Sequence, residues 1–250
     1  QLYVAWTDGT LWRYDMSAPE GPAVAEKVDL TPETGVELRT LGFPIGEQSL
    51  VAGDSLGRVR GYVRVPRADD PPNRLSDGGT DGFVLAQAHE LEAHGAGVAR
   101  VAFSLRDKSF VTIADNGEVW LRHLTSNQTL IKLDLPLESA PGALQIAPKA
   151  DGILALQANG AGRLWAVTNP HPEITLGTMA GKVWYEGYSR PGYTWQSSSG
   201  TDDFEPKFSL VPVAFGTFKA TLFAMLFAVP LALFGALYTS EFMHRDLRNL

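Results

Sequence analysis

Histidine and acidic side chains are the residues in this sequence that could bind a transition metal. His89 and His94 are five positions apart and flank Glu90 and Glu92, which are ligand types that zinc accepts. On a strand, however, side chains five positions apart point to opposite faces of the sheet, and no third ligand follows nearby. The spacing therefore predicts no metal site, and it favours a structural role for His94.

Carboxylates occur in three clusters that could bind calcium through their oxygens. None has the ligand spacing of an EF-hand or of a calcium-binding repeat loop. Solvated loops therefore explain them better than calcium sites do. The clusters are Asp69-Asp70, Asp77 with Asp81, and Asp202-Asp203-Glu205.

Motifs for nucleophilic catalysis and nucleotide binding are missing from the sequence. The stretch SSSGTDD, which begins at Ser197, lacks the Gly-x-Ser-x-Gly elbow of serine hydrolases and predicts a turn. There is no Walker A sequence, so the chain is not expected to hydrolyse ATP itself. The chain has no cysteine, which excludes disulfides and Cys-ligated clusters. We predict no catalytic residue and no cofactor, and a protein that is not an enzyme.

Charge is distributed unevenly along the chain, whose net charge is −7 over 250 residues. Nearly all charged residues precede Pro206, and none lies between Ala220 and Tyr238. The first part is acidic and has no stripe of Lys and Arg, so it would repel nucleic-acid phosphates. These patterns exclude nucleic-acid binding and separate a water-soluble part from a lipid-soluble part.

Four segments share one pattern, in which a short apolar strand meets an Asp, Asn or Gly turn and continues into a second strand. Such turns accept the positive φ that tight hairpins require, so each segment predicts a β-hairpin. Their starts lie roughly one propeller blade apart, and the widest gap contains a Pro/Gly/Asp-rich surface loop between Val65 and Phe83. The segments are LYVAWTDGTLWRYDM from Leu2, SLVAGDSLGRVRGYVRV from Ser49, SFVTIADNGEVWLRHL from Ser109, and GILALQANGAGRLWAVT from Gly152.

The third segment resembles a WD repeat when it is extended back to Val98. It then holds four strand-like runs, with His94-Gly95 before the first of them. Tyr14-Asp15 stands where that family commonly has Trp-Asp, although the match is loose in the other segments. The predicted fold class is all-β: a partial, WD-like β-propeller of three to four antiparallel, four-stranded blades over residues 1–181, followed by one transmembrane α-helix. A ring needs more blades than these, so we expect the rest of the propeller to precede Gln1.

Residues 209–242 predict the transmembrane helix, because the uncharged run alone is nearly the length that crosses the hydrocarbon core. Pro230 and Gly216 are better tolerated in membrane helices than in soluble ones. Arg245 and Arg248 follow the helix in residues 243–250, the predicted start of a cytoplasmic loop. By the positive-inside rule, the propeller would then lie outside the cytoplasm.

Residues 182–208 connect the propeller to the helix and show no clear periodicity. They predict either a juxtamembrane linker or a last propeller strand. Their aromatic residues would accordingly be interface anchors or part of that strand. These residues are Trp184, Tyr185, Tyr188, Tyr193 and Trp195.

The sequence from Lys182 onward resembles the phosphate ABC transporter permease family, specifically the C subunit of the phosphate-specific transport system. The likeness is carried by KVWYEGY, by TWQSSSGTDDFEPKFSLVP, and by FGTFKATLFAMLFAVPLALFGALYTSEFMHRDLRN. Gly216-Thr217, the apolar run to Pro230 and the Tyr238 to Glu241 exit are similar to the second membrane helix of that family. A family variant with a large extracytoplasmic insert would account for the propeller.

This resemblance implies the membrane-spanning subunit of an ATP-driven phosphate importer in the bacterial inner membrane, with the propeller facing the periplasm. The propeller would serve as a docking or sensing domain. Implied partners are a second permease subunit, an ATPase subunit, a periplasmic phosphate-binding protein and the lipid bilayer. Lys219 would lie on the substrate pathway and gather anions at the outer mouth. The alternative for Lys219 is an interfacial residue whose amine snorkels to the membrane surface.

Two other functions remain open from the sequence. A single-span, membrane-anchored propeller could act as a protein-interaction scaffold, with the helix as its tether. A propeller enzyme, such as a quinoprotein dehydrogenase, would need a cofactor pocket on the propeller axis, and no such constellation is evident. Further membrane spans after Leu250 would favour transport, whereas their absence would favour the tether.

Overall fold

The computed structural model describes residues 1–17, 19–200 and 204–242. Its first part consists of four antiparallel sheets that follow one another along the chain, each with its strands in sequence order. We refer to these sheets as blades 1 to 4. Blade 1 comprises β1 (Leu2–Ala5), β2 (Thr10–Asp15) and β3 (Ala23–Asp29).

Blades 2 and 3 have four strands each, and blade 4 has three. Blade 2 comprises β4 (Leu38–Gly42), β5 (Ser49–Asp54), β6 (Val59–Pro66) and β7 (Phe83–Leu91). Blade 3 comprises β8 (Val98–Phe103), β9 (Ser109–Ala114), β10 (Glu118–His123) and β11 (Gln128–Asp134). Blade 4 comprises β12 (Pro141–Ile146), β13 (Gly152–Gln157) and β14 (Gly162–Ala166). The four predicted hairpins form β1–β2, β5–β6, β9–β10 and β13–β14, one pair of neighbouring strands in each blade.

The hairpin turns depend on glycines in the left-handed region. Gly117, between β9 and β10, has a φ of 89°, and a Cβ atom there would lie 2.3 Å from the carbonyl oxygen of Leu135. Gly57, between β5 and β6, has a φ of 82°, and a Cβ atom there would lie 2.4 Å from the carbonyl oxygen of Ala96. Other residues rarely adopt this conformation, so the Asp-Gly and Asn-Gly signals locate the turns reliably.

The blades pack face to face through apolar clusters that join neighbours in order. Leu11 of blade 1 packs with Leu50 and Tyr62 of blade 2. Phe110 of blade 3 packs against blade 2, and Val111 of the same strand lies in the cluster shared with Ile153 of blade 4. No cluster joins blade 1 to blade 4 within the described residues. The blades therefore form an open arc, and they confirm the predicted propeller class.

The outer faces of the arc are apolar. In blade 1, Trp6 is 44% exposed, and its ring lies 5.3 Å from that of Trp12. In blade 4, Leu154 pairs in register with Leu164, which is 71% exposed. Alternate residues of the same strands fill the blade interfaces, so these sheets are apolar on both sides. Such sheets are typical of blades with a neighbour on each face.

Beyond blade 4, the described residues contain two helices and one pair of two-residue strands. Helix α1 (Leu176–Ala180) begins with a capping box at Thr175. Strands β15 (Trp195–Gln196) and β16 (Lys207–Phe208) pair and lead into helix α2 (Leu210–Phe242). Among the described residues, α2 is the one helix long and apolar enough to cross a membrane.

Candidate functional site

One end of the arc carries the chain segment that precedes α2. We call residues 182–200 and 204–208 the junction segment, and we call this end, formed by the β8–β9 and β10–β11 turns, the base of the propeller. The Trp184 side chain is 4% exposed and packs with Val63 and Val84 of blade 2. Its indole nitrogen donates to the carbonyl oxygen of Tyr188 at 2.8 Å. The buried side chain of Trp184 thus anchors the junction segment to the base.

Lys108, in the β8–β9 turn, forms a buried ion pair with the junction segment. Its ammonium lies 2.5 Å from Oε2 of Glu186, and the two side chains are 2% and 15% exposed. Lys108 also donates to the carbonyl oxygen of Ile45, between β4 and β5. One cation therefore joins blade 2, blade 3 and the junction segment. Burial makes such a pair sensitive to the loss of either partner.

Glu205 is buried beside this pair, with 10% of its side chain exposed. Its Oε2 accepts a hydrogen bond from the hydroxyl of Thr125 at 2.8 Å. Its Oε1 lies 3.7 Å from Nε2 of His123 and has no hydrogen-bond partner among the described residues. The last acidic cluster was expected to be a solvated loop, and for Glu205 that expectation is wrong. Asp202 and Asp203 lie outside the described residues.

Burial sets the protonation of this group. Desolvation raises the pKa of Glu205 to about 7, although Thr125, Lys108 and Lys207 act in the opposite direction. Desolvation also lowers the pKa of His123 to about 4, so this imidazole is neutral at pH 7. The Glu205 carboxyl is therefore close to half protonated at neutral pH.

Lys207, in strand β16 and three residues before α2, completes the site. Its ammonium donates to Oε1 of Gln196 at 3.0 Å and lies 4.7 Å from the ring centre of Phe204. It also faces the rings of Tyr185 and Tyr188 at 5.5 and 6.0 Å. Desolvation lowers the pKa of Lys207. Together, one ion pair, several hydrogen bonds and these cation–π contacts fasten the start of α2 to the propeller.

The aromatic residues of the junction segment divide into two groups. Trp184 and Tyr185 are buried against the base, whereas Tyr188, Tyr193 and Trp195 are 40 to 46% exposed. Neither interpretation from the sequence, interface anchors or a last propeller strand, accounts for both groups. The first two anchor the segment to protein, and the other three face outward near α2.

The residues singled out in the membrane segment all lie in α2, in which no described side chain is buried. Lys219, Gly216 and Thr217 are in its first third, and Thr217 donates to the carbonyl oxygen of Val213 at 2.9 Å. Pro230 lies inside the helix. Arg245 and Arg248 fall outside the described residues.

His94 has the structural role expected of it. Its ring is buried, with Nε2 2.8 Å from the hydroxyl of Thr112 and Nδ1 3.1 Å from Oε2 of Glu118. The ring also lies 4.2 Å from that of Trp120. Arg122 donates to the same Thr112 hydroxyl at 3.1 Å. This network connects the loop before blade 3 to its two central strands.

A second buried charge network was not predicted from the sequence. Arg13 is fully buried and contacts Glu26 at 3.2 Å and Asp81 at 2.5 Å. Asp81 belongs to the loop inserted between β6 and β7, and Thr80 of that loop donates to the carbonyl oxygen of Ala25 at 3.0 Å. The loop therefore connects blade 2 to blade 1, and Asp81 is not the solvated carboxylate that was expected.

Comparison with known proteins gives no family assignment. No family model and no curated protein matches the chain. Among solved structures, the computationally designed Ika4 protein is similar at 19% identity and a TM-score of 0.49, over 66% of this chain and 84% of that one. The Cps50 (Swd1) β-propeller domain from Myceliophteria thermophila gives 17% and 0.48, over 65% and 49%. A chain of the mitotic checkpoint complex gives 11% and 0.47, over 69% and 46%.

The permease resemblance is wrong. A phosphate permease crosses the membrane several times, whereas the described residues hold one candidate span, and no family model supports the likeness. Phosphate transport, the second permease subunit, the ATPase subunit and the phosphate-binding protein lose their basis with it. The assignment of Lys219 to a substrate pathway loses its basis as well. A propeller with one candidate membrane helix fits the alternative, a membrane-anchored propeller, better than a permease.

Proposed function

We propose that this chain is a membrane-anchored propeller that acts as a non-catalytic scaffold for other proteins. The observation that carries the proposal is the junction, where the buried Lys108–Glu186 ion pair and the buried Glu205 carboxyl fasten the start of an exposed apolar helix to the base of the propeller. Buried ionic contacts are costly to form and favour one arrangement over others. The helix would therefore hold the propeller at a set orientation above the membrane, instead of tethering it loosely.

The open faces of the arc bear on where protein partners could bind. Trp6 and Trp12 on blade 1, and Leu154 and Leu164 on blade 4, form exposed apolar sheet faces. Large exposed apolar patches mark surfaces that bind protein. Further blades that complete the ring remain our expectation for covering these faces. The end of the ring opposite the base, and its outer edge, would then be free for protein partners.

Orientation follows from charge. Arg245 and Arg248 come after α2 in the sequence, and basic residues next to a span favour the cytoplasmic side. The propeller would accordingly be extracytoplasmic, and in a bacterium it would lie outside the inner membrane. Lys219 lies about nine residues into the helix. Its amine would reach the extracytoplasmic surface of the same membrane by snorkelling.

Alkaline extraction of membranes tests the anchor. The full chain should stay with the membrane pellet, whereas Leu226→Arg combined with Val229→Arg should release it, because each central arginine costs about 3 kcal/mol of insertion free energy. The matched control is alanine at the same two positions, which keeps the helix apolar. Release of the unmodified chain at high pH would refute the anchor.

Cysteine labelling tests the orientation, because the chain has no cysteine of its own. Leu56 lies in the β5–β6 turn and is 53% exposed, so a cysteine at this position would be accessible to reagents. In intact cells it should react with a maleimide that cannot cross membranes, whereas Asn249→Cys should react only after the cells are lysed. The reverse pattern would place the propeller in the cytoplasm.

A further inference from the structure

Four large, exposed apolar side chains lie on or next to α1 and β15, the two elements that contact α2. Ile174 is 41% exposed, Leu176 86%, Tyr193 43% and Trp195 46%. We call these four residues the rim. They come from two separate parts of the chain, the start of α1 and the approach to β15. Leaving so much apolar surface in water is unfavourable, at about 25 cal/mol for each Å².

Contacts with α2 determine where the rim lies. Trp195 pairs with Phe208, their rings are 5.6 Å apart, and the amide of Ser209 donates to the carbonyl oxygen of Thr194 at 3.0 Å. Leu210, the first residue of α2, follows directly. Helix α1, which begins at Leu176, and strand β15 both contact α2. The rim residues therefore lie on or next to two elements that contact α2, and Trp195 lies beside the residues that lead into the helix.

The length of α2 places this point relative to a bilayer. A helix of 33 residues is about 50 Å long at 1.5 Å per residue. The hydrocarbon core is about 30 Å thick, and the whole bilayer is about 40–45 Å thick. A membrane-spanning α2 thus reaches through both headgroup layers. Its first residue then lies at the outer surface of the headgroups, within reach of the rim side chains.

We infer that the rim inserts into the headgroup layer, so that the base of the propeller rests on the lipid surface. This inference rests on the proposed membrane anchor. Tyrosine and tryptophan are the residues that membrane proteins place at this level, because their rings are apolar and their polar atoms can contact water. Lys182 supports lipid as the ligand, because its exposed ammonium lies 5.8 Å from the ring of Tyr193 and can pair with lipid phosphate.

Spin labels on single cysteines test the insertion in the full chain. Leu176→Cys and Tyr193→Cys probe two parts of the rim, and both parent side chains are exposed, so the fold should tolerate the label. Leu56→Cys, at the opposite end of blade 2, is the control for water, and Leu226→Cys is the control for the hydrocarbon core. Each variant is reconstituted into vesicles of phosphatidylcholine with phosphatidylglycerol. Power saturation then compares access to oxygen, which enters the bilayer, with access to a water-soluble nickel chelate.

The rim labels should be several-fold less accessible to nickel than the Leu56 label, with an oxygen accessibility between those of the two controls. If they match the Leu56 label while the Leu226 label is in hydrocarbon, the rim does not insert, although the anchor stands. Rim labels shielded from both reagents would show protein contact instead of lipid, which also overturns the inference. A Leu226 label exposed to nickel would overturn the anchor and the rim together.

Discussion

Replacement of the buried carboxyl of Glu205 should change how the stability of the protein depends on pH. Its pKa is about 7 in the folded chain, against an ordinary value of 4.5, chiefly because burial penalises the charged form. The folded state therefore binds this proton more tightly than the unfolded state does. The resulting stabilisation is fully present below pH 4.5, and it is lost as the pH rises through 7.

The size of the effect follows from the two pKa values. Their difference corresponds to about 3 to 4 kcal/mol, at about 1.4 kcal/mol for each tenfold change in proton affinity. In the Glu205→Gln variant, the amide side chain would stay neutral and could still accept the hydrogen bond from Thr125. This variant should thus match the parent near pH 4.5 and exceed its free energy of unfolding by up to about 3 to 4 kcal/mol at pH 8.

Urea unfolding of the full chain in detergent, followed by tryptophan fluorescence from pH 4.5 to 8.5, measures this difference. The gap between variant and parent should open mainly between pH 4.5 and 7. Glu138→Gln, which alters an exposed carboxylate before blade 4, controls for the loss of one negative charge. A Glu205→Gln gap that stays constant across this range would show that folding does not raise the pKa of Glu205, and the argument from burial would fail.

Three other perturbations probe the ion pairs and the open faces. Lys108→Met should lower the free energy of unfolding by about 3–5 kcal/mol, because it leaves a buried carboxylate without its cation. The double variant with Glu186→Gln should regain most of that loss in the same urea titration. Arg13→Met should cost a similar amount by stranding its two carboxylate partners, and an effect under about 1 kcal/mol would contradict the buried network. Leu164→Lys should reduce self-association of the chain in sedimentation velocity, whereas Leu56→Lys, outside the open faces, should leave the sedimentation coefficient unchanged.

Buried polar and charged groups at the junction link parts of the chain that are distant in sequence. Lys108 meets Glu186 across 78 positions of sequence, and Thr125 meets Glu205 across 80. Neither contact adds much apolar burial, yet both connect the propeller to the segment that enters α2. Stability that depends on these contacts is therefore tied to the attachment of the helix.

Elements with local signals were predictable from the sequence alone. The four hairpins follow from turn residues such as Gly57 and Gly117, whose positive φ is a property of glycine itself. The apolar run that ends at Tyr238 predicts a long helix, because it has no polar face to place in water. The resemblance of that run to a permease helix did not carry the function with it. Apolar composition is shared by many membrane helices.

Contacts between distant parts of the chain were decided only by the tertiary structure. The acidic residues Asp81 and Glu205 have the same local surroundings as solvated carboxylates, namely polar, turn-forming neighbours, yet both are largely buried. Trp184 and Trp195 belong to one aromatic stretch, but one fills the base of the propeller and the other faces outward. Turn type and helix length depend on neighbours within a few residues. Burial, and with it the pKa of Glu205, depends on which blades the chain brings together, and no local pattern encodes that.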